Sequence, residues 1–416
     1  MHQEFQPSLS QMSRRSLLKA GAVGGAGLAA GALLPGLAQA STAAPTTTAR
    51  TTTTAQTRGF VGVRRGHFSL AGRRWSVAGT NNYYLHYKSH TMIDDVLDDA
   101  VAMGLNTIRT WGWLDGPASD GVSLQPEPYV YPEAAYERFD YTVAEARRRG
   151  LRLVVPLTNN WNDFGGMNQY VTWFKAANHD DFYTNAEIRA AYKSYVRHFI
   201  NRRNRYTGIR NRNEPAIMTW ELANEPRCPS DKTGRTLLRW ADEMSRFFKQ
   251  QAPRQLIAVG DEGFFGLAGD PDYPYSNTEG VRWPALVRLP AIDYGTAHLY
   301  PDAWGKEEKD EWGAQWIRDH IRVARRIGKP FVLEEFGLKD ESPEQGTRDA
   351  VYRHWTDTVL ESGGDGDQFW ILTGIQDDGT LYPDYDGHRV VYPSSTATVL
   401  AEHARALRRR DRRAAR

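Results

Sequence analysis

Trp220-Glu221-Leu222-Ala223-Asn224-Glu225-Pro226-Arg227 and Phe331-Val332-Leu333-Glu334-Glu335-Phe336-Gly337 are the two stretches that decide how this chain folds. Each is a short apolar run that stops abruptly at a carboxylate, as a barrel strand does when it delivers a side chain to the active face. Working outward from them, β-rich runs fall at 74–80, 107–111, 151–158, 217–223, 256–259, 292–297, 331–335 and 368–372. Amphipathic helical stretches alternate with them at 91–103, 132–149, 185–206, 236–251, 311–327 and 346–361. Strands alternating with helices predict parallel βα units, and eight such strands predict a (β/α)8 barrel of the TIM type forming one catalytic domain. Residues 260–290, rich in Gly, Pro and aromatics, read as a long βα loop of the kind that shapes a cleft.

With 416 residues and 40% hydrophobic content the chain can bury one large core. The barrel domain is expected over 58–404. The formal net charge of +2 hides an asymmetry, since 405–416 carries +6 and 1–40 carries +2, leaving 41–404 at −6. A mildly acidic body lacks the basic stripe of a nucleic-acid binder. The arginines of 405–416 read as a solvated basic tail. Ser13-Arg14-Arg15-Ser16-Leu17-Leu18-Lys19 precedes a Gly/Ala/Leu run ending at Ala38-Gln39-Ala40, a small-residue cleavage site. Residues 1–40 therefore resemble a twin-arginine export leader, and the mature protein is expected to be secreted, with no membrane span. Residues 41–57, mostly Thr and Ala, read as a disordered spacer. Cys228 is the one cysteine, so no intramolecular disulfide can form, which suits a route that exports folded proteins.

The strand ends carry the chemistry. Asn81-Asn82, Arg109 with Trp111, Asn159-Asn160-Trp161, Asn224-Glu225, Asp261-Glu262, His298 with Tyr300, Glu335 and Trp370 all lie at or just past a predicted strand. In a parallel barrel those positions converge on one pocket. Paired carboxylates on opposite walls, Glu225 and Glu335, are the apparatus for cleaving a glycosidic bond, one as acid and one as nucleophile. Arg109 is placed to hold Glu335 ionised, and Glu225, facing that anion, is expected to start protonated. Of the adjacent Glu334 and Glu335, one must point away from the mouth. Asn224 offers an amide to a sugar 2-hydroxyl, His298 and Tyr300 can orient the carboxylates, and Trp370 can floor the sugar. The 13 Trp exceed what a barrel core needs, and the flat faces of sugar rings are natural partners for those that line a cleft. No second His or Cys sits at ligand spacing from His298, so no metal is expected, and a carboxylate pair of this kind calls for no organic cofactor.

The motifs around Trp220 to Cys228, Arg109-Thr110-Trp111, His298-Leu299-Tyr300-Pro301-Asp302 with Trp304, and Glu334-Glu335-Phe336-Gly337 resemble glycoside hydrolase family 5, and within it the endo-β-1,4-mannanases. The likeness runs from about Phe60 to about Ala401. It implies a retaining endo-hydrolase of mannan, glucomannan or galactomannan, with Glu225 as acid/base and Glu335 as nucleophile. It further implies that Arg109, Asn224, His298, Tyr300 and Trp370 match shared active-site positions. Trp111 would match a substrate contact and Arg227 an arginine on the leaving-group side. Many cellulases of the family carry His where this chain has Asn159-Asn160-Trp161, which favours mannan over β-1,4-glucan. A non-catalytic polysaccharide-binding protein would show a damaged carboxylate pair, and both are intact. A monomer is expected.

Overall fold

The computed structural model describes residues 59–118, 122–339 and 348–414. The leader and spacer read in the sequence, 1–57, lie outside the described residues.

A small antiparallel sheet comes first, made of β1 (Gly62–Arg64), β2 (His67–Leu70) and β3 (Arg73–Arg74). Eight parallel strands follow: β4 (Val77–Asn81), β5 (Thr107–Arg109), β6 (Arg152–Pro156), β7 (Ile217–Glu221), β8 (Leu256–Ala258), β9 (Gly295–Leu299), β10 (Phe331–Phe336) and β11 (Gly366–Phe369). They pair in the order β8-β7-β6-β5-β4-β11-β10-β9, a near-closed barrel with one seam between β8 and β9. Asp293 bridges that seam, its backbone N–H donating to the Ile257 carbonyl (2.8 Å) and its carboxylate accepting from the Ile257 N–H (2.7 Å).

The crossover helices are α1 (His90–Met103), α2 (Glu137–Arg149), α3 (Ala186–Asn201), α4 (Arg235–Gln251), α5 (Trp283–Val287), α6 (Lys309–Ile327), α7 (Arg348–Ser362) and α8 (Ser395–Ala414). Local chemistry sets their ends. The Ser89 hydroxyl accepts from the Met92 N–H to start α1, and Gly104, in the left-handed region, ends it. Along α1, Met92, Ile93, Val96, Leu97, Ala100 and Met103 are buried, the one apolar face expected of a barrel helix. None of the helices is long and apolar enough to cross a membrane, among the described residues.

Three sequence expectations are corrected. The strand read over 74–80 is two elements, β3 pairing with β2 and β4 entering the barrel, because the chain turns at Trp75-Ser76. The helix read over 185–206 stops at Asn201, and the Asn204 side chain accepts from the N–H groups of Tyr206 and Thr207, an Asx turn that competes with helix. The basic stretch read as a solvated tail is helical as far as it is described, since α8 continues to Ala414 with Leu407 buried. Arg410 donates to Ser76 Oγ (2.9 Å) and to the Leu360 carbonyl (3.3 Å), while Ser76 Oγ donates to Asp411 (2.7 Å). Arginine is a good helix former whose stem packs while its head finds acceptors, so a run of it can extend a docked helix.

The core has two parts. One fills the space between barrel and helices. The other closes the N-terminal end of the barrel, where Phe68 of β2 packs with Val77, Met218, Leu256, Ala258, Tyr294 and Val332. With that end plugged, the opposite mouth is left for chemistry.

Candidate active site

Trp220 points out of the barrel, its ring 5.9 Å from Phe199 of α3 and its indole N–H on Gln255 (2.7 Å). Alternation then turns Glu221 inward, where Arg109 Nε donates to it at 2.9 Å. Past the strand the backbone continues beside β8 until the Glu225 N–H reaches the Gly260 carbonyl (2.7 Å), with Glu225 itself at φ +51°. A left-handed non-glycine residue costs about 1–3 kcal/mol and persists where its surroundings over-determine it. Gly260, at φ +81°, permits the approach, because a Cβ there would stand 2.1 Å from the Ala223 carbonyl oxygen.

On β10 the ladder to β9 shifts register between Leu333 and Glu335. This irregularity corrects a simple alternation: both glutamates are interior, at different depths. Glu335 faces the mouth, accepting from Arg109 Nη1 (2.5 Å) and the Tyr300 hydroxyl (2.7 Å). Glu334 lies lower, its Oε2 3.7 Å from Arg109 Nε.

One guanidinium organises the cluster. Besides Glu221 and Glu335, Arg109 donates to Asn224 Oδ1 (2.8 Å) and Asn81 Oδ1 (3.3 Å). The Asn224 amide in turn donates to Asn159 Oδ1 (3.0 Å), which fixes its orientation and leaves its second N–H for a ligand. Glu225 is held on both oxygens, Oε1 by His298 Nδ1 (2.7 Å) and Oε2 by the Trp161 indole N–H. A carboxylate oxygen of Glu225, one of Glu335 and a ring nitrogen of His298 all lie within 4.8 Å of one another. The carboxylate oxygens of the three already accept from Arg109, Tyr300, Trp161 and His298.

Burial raises the pKa of Glu225, with Arg227, Trp161 and Arg109 pulling the other way. Burial also raises Glu335, against the sequence expectation that Arg109 would hold it low. His298 and Arg109 pull it down, yet desolvation outweighs them. Of the two, Glu335 receives the guanidinium directly, so the pair's anion falls there and its proton to Glu225. Burial keeps His298 below its ordinary value and therefore neutral near pH 7.

Two walls flank the cluster. On one side Trp370 stacks on Tyr83 (6.0 Å), Tyr83 lies 5.3 Å from Trp111, and Trp111 stacks on Trp113 (4.3 Å). The Trp370 indole N–H donates to Asp386 (2.7 Å). On the other side Arg227 is clamped by both oxygens of Glu262 (2.6 and 2.7 Å), with its guanidinium 4.8 Å from the Trp161 ring centre and 4.9 Å from that of Phe264. Glu225, Glu335, Arg109, Asn224, His298 and Tyr300 thus form one bonded cluster, Trp111 and Trp370 one wall, and Arg227 the other wall. Sequence reading assigns no part to Glu221 or Asp386, and marks Asn81, Trp161 and Glu262 only as strand-end groups. Glu221 was open to inference from strand parity, whereas Asp386 sits in a loop that carries no such signal.

The family model described as GH family 5 beta-mannosidase-like matches residues 58–381. Mannan endo-1,4-beta-mannosidase 3 of Arabidopsis thaliana is 35% identical over 377 residues, covering 84% of this chain and 90% of its own. Mannan endo-1,4-beta-mannosidase F of Aspergillus fumigatus is 35% identical over 316 residues, covering 73% of this chain and 68% of its own. Among solved structures, the hyperthermostable endo-1,4-beta-D-mannanase of Thermotoga petrophila RKU-1 is 47% identical, with a TM-score of 0.76, and covers 80% of this chain and 99% of its own.

Proposed function

We propose that this chain, which belongs to the glycoside hydrolase family 5 beta-mannosidase-like family, is a retaining endo-β-1,4-mannanase acting on mannan, glucomannan or galactomannan. The observation that carries the reading is the pair Glu225 and Glu335, whose oxygens approach within 4.8 Å, in a chain whose relatives are named endo-mannanases. Retaining enzymes keep their carboxyl groups about 5–5.5 Å apart, whereas inverting ones leave roughly 6.5–9.5 Å for a water.

In this reading Glu335, anionic beside Arg109, attacks the anomeric carbon while Glu225 gives its proton to the leaving oxygen. Esterification removes the charge on Glu335, so Glu225 becomes a stronger acid and then serves as base toward water. Asn224 meets the 2-hydroxyl with its free N–H, and Trp370 underlies the sugar at the cleaved bond. Trp111 extends the platform on that wall, and Arg227 meets the leaving-group side.

The experiment is reducing-sugar release from mannan, glucomannan and carboxymethyl cellulose side by side, with the product anomer followed by proton NMR. Mannan and glucomannan should be cut with the β-anomer appearing first. Cleavage of carboxymethyl cellulose alone, or an α-anomer first, overturns the proposal. We further propose export through the Arg14-Arg15 leader. Replacing both arginines by lysine should leave the protein in the cell fraction, and unchanged secretion would refute the leader.

A further inference from the structure

Beneath Glu225 and Glu335 lies a second pair of carboxyl groups, Glu221 on β7 and Glu334 on β10, neither of them exposed at all. Hydrogen-bond donors are too few for two anions. Glu221 Oε2 accepts from Arg109 Nε, but among the described residues no donor reaches Glu221 Oε1 or either oxygen of Glu334. Glu334 Oε2 stands 3.7 Å from Arg109 Nε and 3.6 Å from His298 Nε2, which is itself unpartnered. Both carboxyls crowd the same atom, Arg109 Nε, at 2.9 Å for Glu221 and 3.7 Å for Glu334, so a proton on one can serve the bare oxygens of the other.

The charged and titratable groups facing this pair come from every neighbouring strand: Arg109 from β5, His298 from β9, Glu335 from β10 and the Tyr294 phenol from the turn before β9. Asp261 and Glu262 lie beyond, at the end of β8. β4 offers the neutral Asn81, whose amide donates to the Glu334 carbonyl (2.9 Å). Arg109 is then the one cation, because His298 is held neutral. Two carboxylates crowded on one nitrogen in a dry interior cannot both ionise against a single guanidinium that Glu335 also claims.

We propose that Glu221 and Glu334 share a single proton, and that the one negative charge left on the pair is the standing counter-ion of Arg109. Its place in the reaction rests on the retaining mechanism proposed above. While Glu335 is an anion, Arg109 is held from above and below. Once Glu335 is an ester, the shared-proton pair is the anion that still holds the guanidinium, beside the neutral Asn81 and Asn224, for the second half-reaction. Glu221 and Glu334 are positioning residues that act through Arg109. Because the proton can rest on either, each can stand in for the other.

The test is a double-mutant cycle with E221Q and E334Q, since a glutamine amide donates to the remaining carboxylate as the acid O–H did. Each single variant should lower kcat/KM on mannohexaose by less than about tenfold. The double variant should lose more than about a thousandfold, and its acid limb should move to lower pH because Arg109 then leans on Glu335 alone. Infrared difference spectra in D2O at neutral pH read the proton without activity. Wild type minus either single variant should show one carboxylic-acid C=O band lost and no carboxylate band lost. A lost carboxylate band in either variant, or single effects that simply add in the double, overturns the proposal. Should the double variant not fold, the two infrared spectra decide. Should the mannan assay fail, they still report the shared proton.

Discussion

Arg109 donates through three nitrogens to Glu221, Glu335, Asn81 and Asn224, so one side chain ties four barrel strands or strand ends into one site. Its neighbours divide the work by what they accept. Glu335 has two donors on it, one of them a guanidinium, and in the proposed reaction it attacks; Glu225 has two neutral partners and carries the proton. Glu225→Ala should therefore lower kcat on mannan by about 10²–10⁴-fold, the worth of a general acid. On an aryl mannobioside whose leaving group needs no protonation, azide should restore much of that turnover, giving the β-azide. Glu335→Ala should lose turnover on both substrates, with circular dichroism unchanged, and appreciable activity in either variant on mannan would end the assignment. These residues were legible because a strand that ends on a carboxylate leaves a mark in the sequence. Glu334 was not, since its inward turn depends on a register shift between β10 and β9 that no residue pattern encodes. The rise in the Glu335 pKa was hidden for a related reason: sequence shows the arginine beside it but not how completely water is excluded.

At the scale of elements, the barrel depends on what seals its other end. The β1–β3 sheet contributes Phe68, whose ring meets Tyr294 at 5.1 Å and Trp75 at 6.3 Å. Phe68→Ala removes a fully buried ring from that plug and should cost about 3–5 kcal/mol of stability. Since the plug lies at the end of the barrel opposite Glu225 and Glu335, KM and the pH profile at low temperature should stay at wild-type values. Denaturant unfolding and steady-state kinetics check the two halves, and a changed KM would mean that the plug communicates with the site. The eight strands and most crossover helices were readable from alternating periodicities. The hairpin sheet was not, because three strands of two to four residues fall below the length at which a period of two can be recognised. The docked end of α8 escaped for another reason. Its arginines look like a solvated run until Ser76, Gly104 and Leu360 supply acceptors from distant parts of the chain.

Across the whole molecule, the buried acids make stability depend on pH in a definite direction. Burial pushes Asp261 up to about 8, against a hydrogen bond from the Gly263 N–H. Burial likewise lifts Asp163 and Glu262 to about 7. A carboxyl with a folded value above its unfolded one binds its proton more tightly in the native state. Its contribution is complete below about pH 4 and is lost as pH rises through the folded value. Carboxylates held low by hydrogen bonds and cations, such as Asp180 and Glu243, contribute in the opposite sense and lose their effect as pH falls below about 4. Burial also holds His86 and His320 down, to about 3 and 4, and they too lose stability as pH falls below the unfolded imidazole value of about 6.5. Between about pH 7 and 8 the first group therefore acts alone, so Tm should fall across that interval. Asp261→Asn keeps an oxygen for the Gly263 N–H and removes the titration, so its Tm should fall less over the same interval when both proteins are scanned calorimetrically. Equal slopes for the two proteins would show that Asp261 carries no part of this dependence, and a wild-type Tm that rises from about pH 7 to 8 would mean that the buried acids do not set the pH dependence there.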